Sequence, residues 1–202
     1  DYVELNPPFS YIRSESGIEG TGYAAAYYQD KLYLGTNQGL FAADWGKRGP
    51  TGEVAFQLVP NTEGQVWSLQ QVDDFLVVGQ HKAAQVMQNG RAVPFSKVQG
   101  AWKFLPLSQN PQYAVEGTYS GLILYQKQAD ANGVFPWKSI GKLAGFDESA
   151  RVMEEDASGN LWISHAYKGV YKIELDLDNR AIKAVSFYNT SDGLPADIAI
   201  NV

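Results

Sequence analysis

The feature that most constrains this chain is a short pattern that returns. Gly35-Thr36-Asn37-Gln38-Gly39-Leu40 has a second copy at Gly117-Thr118-Tyr119-Ser120-Gly121-Leu122. Ser164-His165-Ala166-Tyr167-Lys168-Gly169-Val170 is a third, with one more loop residue. Gly79-Gln80-His81-Lys82-Ala83-Ala84 is a worn fourth, with Ala where Gly would stand. The anchors Gly35, Gly79, Gly117 and Ser164 are separated by 44, 38 and 47 residues. Apolar runs precede and follow each centre, so each copy reads as a hairpin. Self-similarity at about 40–50 residues is the period of propeller blades.

Each unit has the contents of a blade. A first apolar run and an Asp-, Asn- or Gly-bearing turn lead into each anchor: Tyr23–Tyr28, Val66–Leu69, Trp102–Leu107 and Arg151–Glu155. Glycine accepts positive φ and Asx side chains cap such turns. A third run follows each anchor, at Leu40–Ala43, Ala84–Met87, Leu122–Tyr125 and Val170–Ile173. A weaker outer run follows that, at Phe56–Val59, Ala92–Phe95, Trp137–Ile140 and Ala184–Tyr188. Ala24-Ala25-Ala26 would score as helix by propensity, but the flanking tyrosines and the repeat register put it on a strand. The expected fold is all-β: a β-propeller fragment of about four four-stranded antiparallel blades. The repeats cover about 9–59, 60–99, 100–147 and 148–190 of one partial propeller domain, and 191–202 opens a further blade.

Composition agrees and excludes several classes. Apolar residues are 45% of the 202, enough for a core, and 13% aromatics with 20 glycines suit short strands and tight turns. The net charge of −6 and the absence of a basic run count against nucleic acid as a partner of this segment. No apolar run approaches the roughly 18–20 residues that span a bilayer, so a membrane would be reached only through flanking segments. With no cysteine, disulfides, thiolate metal sites and cysteine nucleophiles are ruled out. A start on Asp1 without a leader reads as a piece of a longer chain.

The last quarter carries a more specific pattern. Tyr188-Asn189-Thr190-Ser191-Asp192-Gly193-Leu194-Pro195, Asp156-Ala157-Ser158-Gly159-Asn160-Leu161-Trp162-Ile163-Ser164 and the Gly-Thr-x-x-Gly-Leu centres together resemble the two-component regulator propeller repeat. Ser10 to Gly22, with Ser16-Gly17-Ile18, is a worn copy of its opening. The resemblance implies a bacterial regulator whose propeller is a periplasmic sensor, often of glycan fragments, with a kinase or helix-turn-helix output elsewhere. It also implies more blades than these residues supply. The open blade faces of a fragment are then expected to self-associate.

Candidate site residues follow from the topology. The loop between a blade's second and third strands lies on the same face as the link to the next blade. Asn37, Gln38, His81, Lys82, Tyr119, His165, Tyr167 and Lys168 should therefore gather at one mouth of the propeller, joined by Trp67, Trp102 and Arg151 from the links. Aromatic rings can stack on pyranose faces while polar groups bond hydroxyls, so the expected ligand is an oligosaccharide. The tryptophans also suit packing between blades. Glu154-Glu155-Asp156 reads as a turn cap with solvated charges rather than a catalytic cluster. Two histidines on different blades make no metal site, and no nucleophile triad, phosphate loop or cofactor motif is present. The expected function is a non-catalytic sensor. A propeller glycoside hydrolase or lyase, or a protein-binding scaffold, are the alternatives.

Overall fold

The computed structural model describes residues 12, 14–47, 54–129, 133–198 and 200. Among these described residues, sixteen strands form four separate sheets of four. The first sheet contains β1 (Gly22–Tyr28), β2 (Lys31–Thr36), β3 (Leu40–Asp44) and β4 (Gln57–Leu58). The second contains β5 (Val66–Val72), β6 (Phe75–Gln80), β7 (Gln85–Gln88) and β8 (Arg91–Pro94). The third contains β9 (Lys103–Pro106), β10 (Tyr113–Thr118), β11 (Gly121–Lys127) and β12 (Trp137–Lys142). The fourth contains β13 (Val152–Glu155), β14 (Leu161–His165), β15 (Gly169–Asp176) and β16 (Ala181–Tyr188). Within each sheet the strands follow chain order and pair antiparallel.

Each of the sixteen expected runs is a strand. Ala24–Ala26 lies in β1, paired with Tyr33 to Gly35 of β2, so pairing overrides the helical propensity of alanine. The shortest strand is one of the weaker outer runs, since β4 keeps only Gln57 and Leu58. The worn copy of the repeat opening is visible in the backbone. Short 3-10 turns at Ser14–Ser16 and Thr190–Asp192 are each followed by a left-handed glycine, Gly17 (φ 87°) and Gly193 (φ 97°). Ser10 at the head of that copy, and Ala199, Asn201 and Val202 of the expected further blade, lie outside the described residues.

The first strands of neighbouring sheets touch: β1 meets β5, β5 meets β9, and β9 meets β13. They therefore line the propeller axis, and the fourth strands face outward. Apolar side chains fill the spaces between sheets. Leu40, Val66, Leu76 and Val78 lie between the first and second. Val77, Phe104, Ala114 and Tyr125 lie between the second and third. Val115, Leu124, Met153, Ile163 and Ile173 lie between the third and fourth.

The repeat's anchors mark where the next sheet arrives. A Cβ on Gly35 would lie 2.6 Å from Val66, one on Gly79 2.7 Å from the Ala101 carbonyl, and one on Gly117 2.3 Å from the Ala150 carbonyl. No side chain fits those gaps, which explains the recurring glycine. At the fourth anchor the residue is Ser164, and its hydroxyl donates to the Ile200 carbonyl. The same junction is thus made by a hydrogen bond where the backbone does not come as close.

Candidate functional site

The anchors also define a ring of equivalent positions. Gly35, Gly79, Gly117 and Ser164 pair with Ala24, Ser68, Lys103 and Val152. The residues one step earlier are Tyr23, Trp67, Trp102 and Arg151. Each stands at the head of its sheet's innermost strand, so all four sit at one height around the axis. Their side chains make a continuous arc. The ring centroids of Tyr23 and Trp67 are 5.2 Å apart, and those of Trp67 and Trp102 are 4.7 Å apart. The Arg151 guanidinium lies 5.2 Å from the Trp102 centroid.

The arc is one wall of a groove of about 330 Å³, completed by Ser68, Gln70, Lys103 and Val152. That volume is within the range of small-molecule sites. The rings are tilted by 40–52° to one another rather than coplanar.

Polar bonds fix the rings. Trp67 Nε1–H donates to the Tyr119 hydroxyl at 3.0 Å, and Trp102 Nε1–H donates to Ser149 Oγ at 3.0 Å. An indole N–H can only donate, so the Tyr119 oxygen accepts from Trp67 and its own proton is available to His81 Nδ1, 2.9 Å away. Burial pushes the Tyr119 pKa up, against the opposing effect of the Trp67 bond, which keeps the hydroxyl protonated. Gly100 makes room for this tyrosine. Its φ is 77°, and a Cβ there would come within 2.1 Å of the Tyr119 ring.

Below the rim, Lys103 and Glu154 form an ion pair between β9 and β13. Gln70 Oε1 accepts from the Phe104 N–H at 2.8 Å. Strands β1, β5 and β9 carry no Asp or Glu, so first-strand carboxylates come from β13 alone. Of those, Glu155 is engaged by Ser108 and by the Gln109 N–H. Asp156 caps its turn, accepting from the Ser158 and Asn160 N–H groups and from Trp162 Nε1. Those bonds hold its pKa well below the usual carboxylate range. Among the described residues no cluster of three or more potential metal ligands occurs.

The expected site residues divide into three groups. Trp67, His81, Trp102, Tyr119 and Arg151 come together in and beside the groove, with Lys82 exposed next to His81. Asn37 is tied up locally, its Oδ1 accepting from the Thr21 N–H at 2.8 Å, whereas Gln38 is exposed and engaged through its backbone, its carbonyl accepting from the Gly64 N–H. His165, Tyr167 and Lys168 form a separate cluster around Glu148. Lys168 Nζ lies 2.8 Å and His165 Nε2 3.6 Å from its carboxylate. The Tyr167 N–H donates to His165 Nδ1, which places the neutral imidazole's proton on Nε2, towards Glu148. The Tyr167 ring is 80% exposed.

Packing takes other tryptophans. Trp137 donates to Asp73 of the second sheet and packs on Phe104, whereas Trp162 stacks on Tyr188. Trp67 and Trp102, which also suited packing between blades, stand half-buried on the groove wall. Sequence reasoning missed Tyr23, Gln70 and Lys103. Writing the four repeats one above another from the anchors would have exposed Tyr23, because it shares the column of Trp67 and Trp102.

No family model matches the chain, and no curated protein matches its sequence. Solved structures do. The extracellular domain of BT4673 from B. thetaiotaomicron, described in one structure as a one-component system, is 15% identical with a TM-score of 0.61. The match covers 96% of this chain and 25% of that one. A second structure of that extracellular domain, described as a hybrid two-component system, is 16% identical over 88% of this chain and 24% of that one, with a TM-score of 0.60. The WD40 β-propeller domain of Doa1 is 14% identical over 82% of this chain and 54% of that one, with a TM-score of 0.54. The fold is a β-propeller, shared with the extracellular domains of a two-component-type regulator. The chain spans about a quarter of the length of those domains.

Proposed function

We propose that this propeller segment is the ligand-recognising part of an extracytoplasmic, periplasmic sensor in a bacterial two-component or transcriptional regulator. It is non-catalytic, and its ligand is an oligosaccharide held in the groove. The observation that carries this reading is the arc of Tyr23, Trp67 and Trp102, at equivalent positions on three successive innermost strands. An arc of tilted rings offers successive apolar faces to the pyranose units of a chain, and Ser68 and Gln70 offer hydroxyl partners. The fold shared with extracellular regulator domains supports the sensor role. The first strands offer no carboxylates from two blades, the pair a glycosidase requires. For signalling, the ligand must bind one arrangement of the sensor better than the other, since equal binding shifts nothing.

Titration of the chain with polysaccharide-derived oligosaccharides, followed by tryptophan fluorescence and calorimetry, tests the reading. Saturable binding by one class is expected, weakened about tenfold or more, ~1.4 kcal/mol, in Trp67→Ala and Trp102→Ala. Binding that is unchanged in both variants would move the site elsewhere, and turnover of the bound sugar would make the protein an enzyme.

A further inference from the structure

The fourth member of the arc breaks its chemistry. Three positions are aromatic and the fourth is Arg151, so the wall ends in a cation rather than a ring. Arg151 is exposed, and its guanidinium lies within cation–π distance of the Trp102 ring. Among the described residues no carboxylate forms an ion pair with Arg151. The other cation of the groove, Lys103, already has Glu154. The groove lining includes Lys103 and Arg151 and no Asp or Glu, although the chain as a whole has 22 acidic against 16 basic residues. A local excess of positive charge on an acidic protein is a selective feature, and it lies beside a surface shaped for stacking.

We infer that the groove is built for a carboxylate-bearing saccharide, a uronate-containing oligosaccharide, whose sugar faces stack on Tyr23, Trp67 and Trp102 while a ring carboxylate is taken by Arg151. This rests on the saccharide reading above and adds the ligand's charge. The forked guanidinium matches a planar carboxylate in two parallel hydrogen bonds. A neutral sugar keeps the stacking but leaves the guanidinium without its partner. One cation without an ion pair in the groove, among the described residues, also does not provide the extended basic track that a polyphosphate backbone requires.

The test uses matched pairs: oligogalacturonate and its methyl ester, oligomannuronate and its methyl ester, with cello- and xylo-oligosaccharides as neutral sugars. Esterification removes the charge and leaves the stacking faces. Affinities are measured by calorimetry on the chain and on Arg151→Gln, which alters an exposed side chain, with circular dichroism as the folding check. The expected result is an acid at least tenfold tighter than its ester, a ratio that falls towards one in Arg151→Gln and narrows in high salt. Equal binding of acid and ester, or binding of neutral sugars alone, overturns the charge inference and leaves the saccharide reading standing. A preference for the acid that survives in Arg151→Gln overturns the assignment of Arg151. No binding by any of these sugars removes the saccharide reading itself, and this inference with it.

Discussion

Trp67 of the second sheet and Tyr119 of the third are joined by an indole-to-hydroxyl hydrogen bond of 3.0 Å, which ties two sheets together at the rim. Tyr119→Phe keeps the ring contacts with Trp102 and His81 and removes only the oxygen. It leaves the half-buried Trp67 N–H and His81 Nδ1 without this partner. The expected cost is about 1 kcal/mol in urea unfolding, with a change in tryptophan emission. A variant as stable as the parent, with unchanged emission, would show that the bond does not hold the ring.

The anchors make a sharper prediction. Gly117→Ala places a methyl 2.3 Å from the Ala150 carbonyl, where backbone faces backbone and neither side chain nor solvent can yield. Overpacking of this kind costs about 1–3 kcal/mol. Ser164→Ala, at the equivalent position of the fourth sheet, loses only the bond to the Ile200 carbonyl and should cost about 1 kcal/mol. Thermal unfolding of the two variants should rank them in that order. The opposite order would mean that the glycine is not there to admit the next sheet.

Much of this architecture was legible because it depends on local rules repeated four times. Glycine anchors, Asx turns and apolar runs at a fixed period placed all sixteen strands, including one through three consecutive alanines. The link between anchors and sheet junctions was not legible, because it depends on which atoms of the next sheet come within 3 Å of where a Cβ would stand. The site was half legible. Loop topology brought Trp67, His81, Trp102, Tyr119 and Arg151 to one mouth, but it could not show that the Asn37 side chain is engaged by the Thr21 N–H, a bond no spacing reveals. Tyr23 was missed because it was read as a strand flank rather than by its register against the anchor.

Asp156 stabilises its turn through charged hydrogen bonds, which lower its pKa from the ordinary 3.8. A folded-state pKa below the unfolded one means stability that is present above the unfolded value and lost as pH falls through the folded one. Asp156→Ala should therefore unfold at lower urea than the parent at pH 7, and the gap should close under strong acid. A gap independent of pH would assign the loss to turn geometry alone, with no part for the charge.

Glu116 has the opposite sign. It is 0% exposed between the second and third sheets, where Oε2 accepts from Ser96 Oγ at 2.9 Å and from the Tyr125 hydroxyl at 2.5 Å. Oε1 has no hydrogen-bond partner among the described residues. Burial pushes its pKa from the ordinary 4.5 up to about 7, and the two hydrogen bonds only partly pull it back. Because the folded pKa lies above the unfolded one, the folded state holds the extra proton between these values. Its contribution to stability is complete below 4.5 and is lost as pH rises to about 7. At roughly 1.4 kcal/mol for each pH unit, the change across that window is about 3 kcal/mol. Glu116→Gln keeps the shape and cannot ionise, so its urea midpoint should vary less between pH 5 and pH 8 than the parent's. Parallel pH profiles for the two proteins would mean that Glu116 titrates alike in the folded and unfolded chains, and that its burial costs nothing at neutral pH.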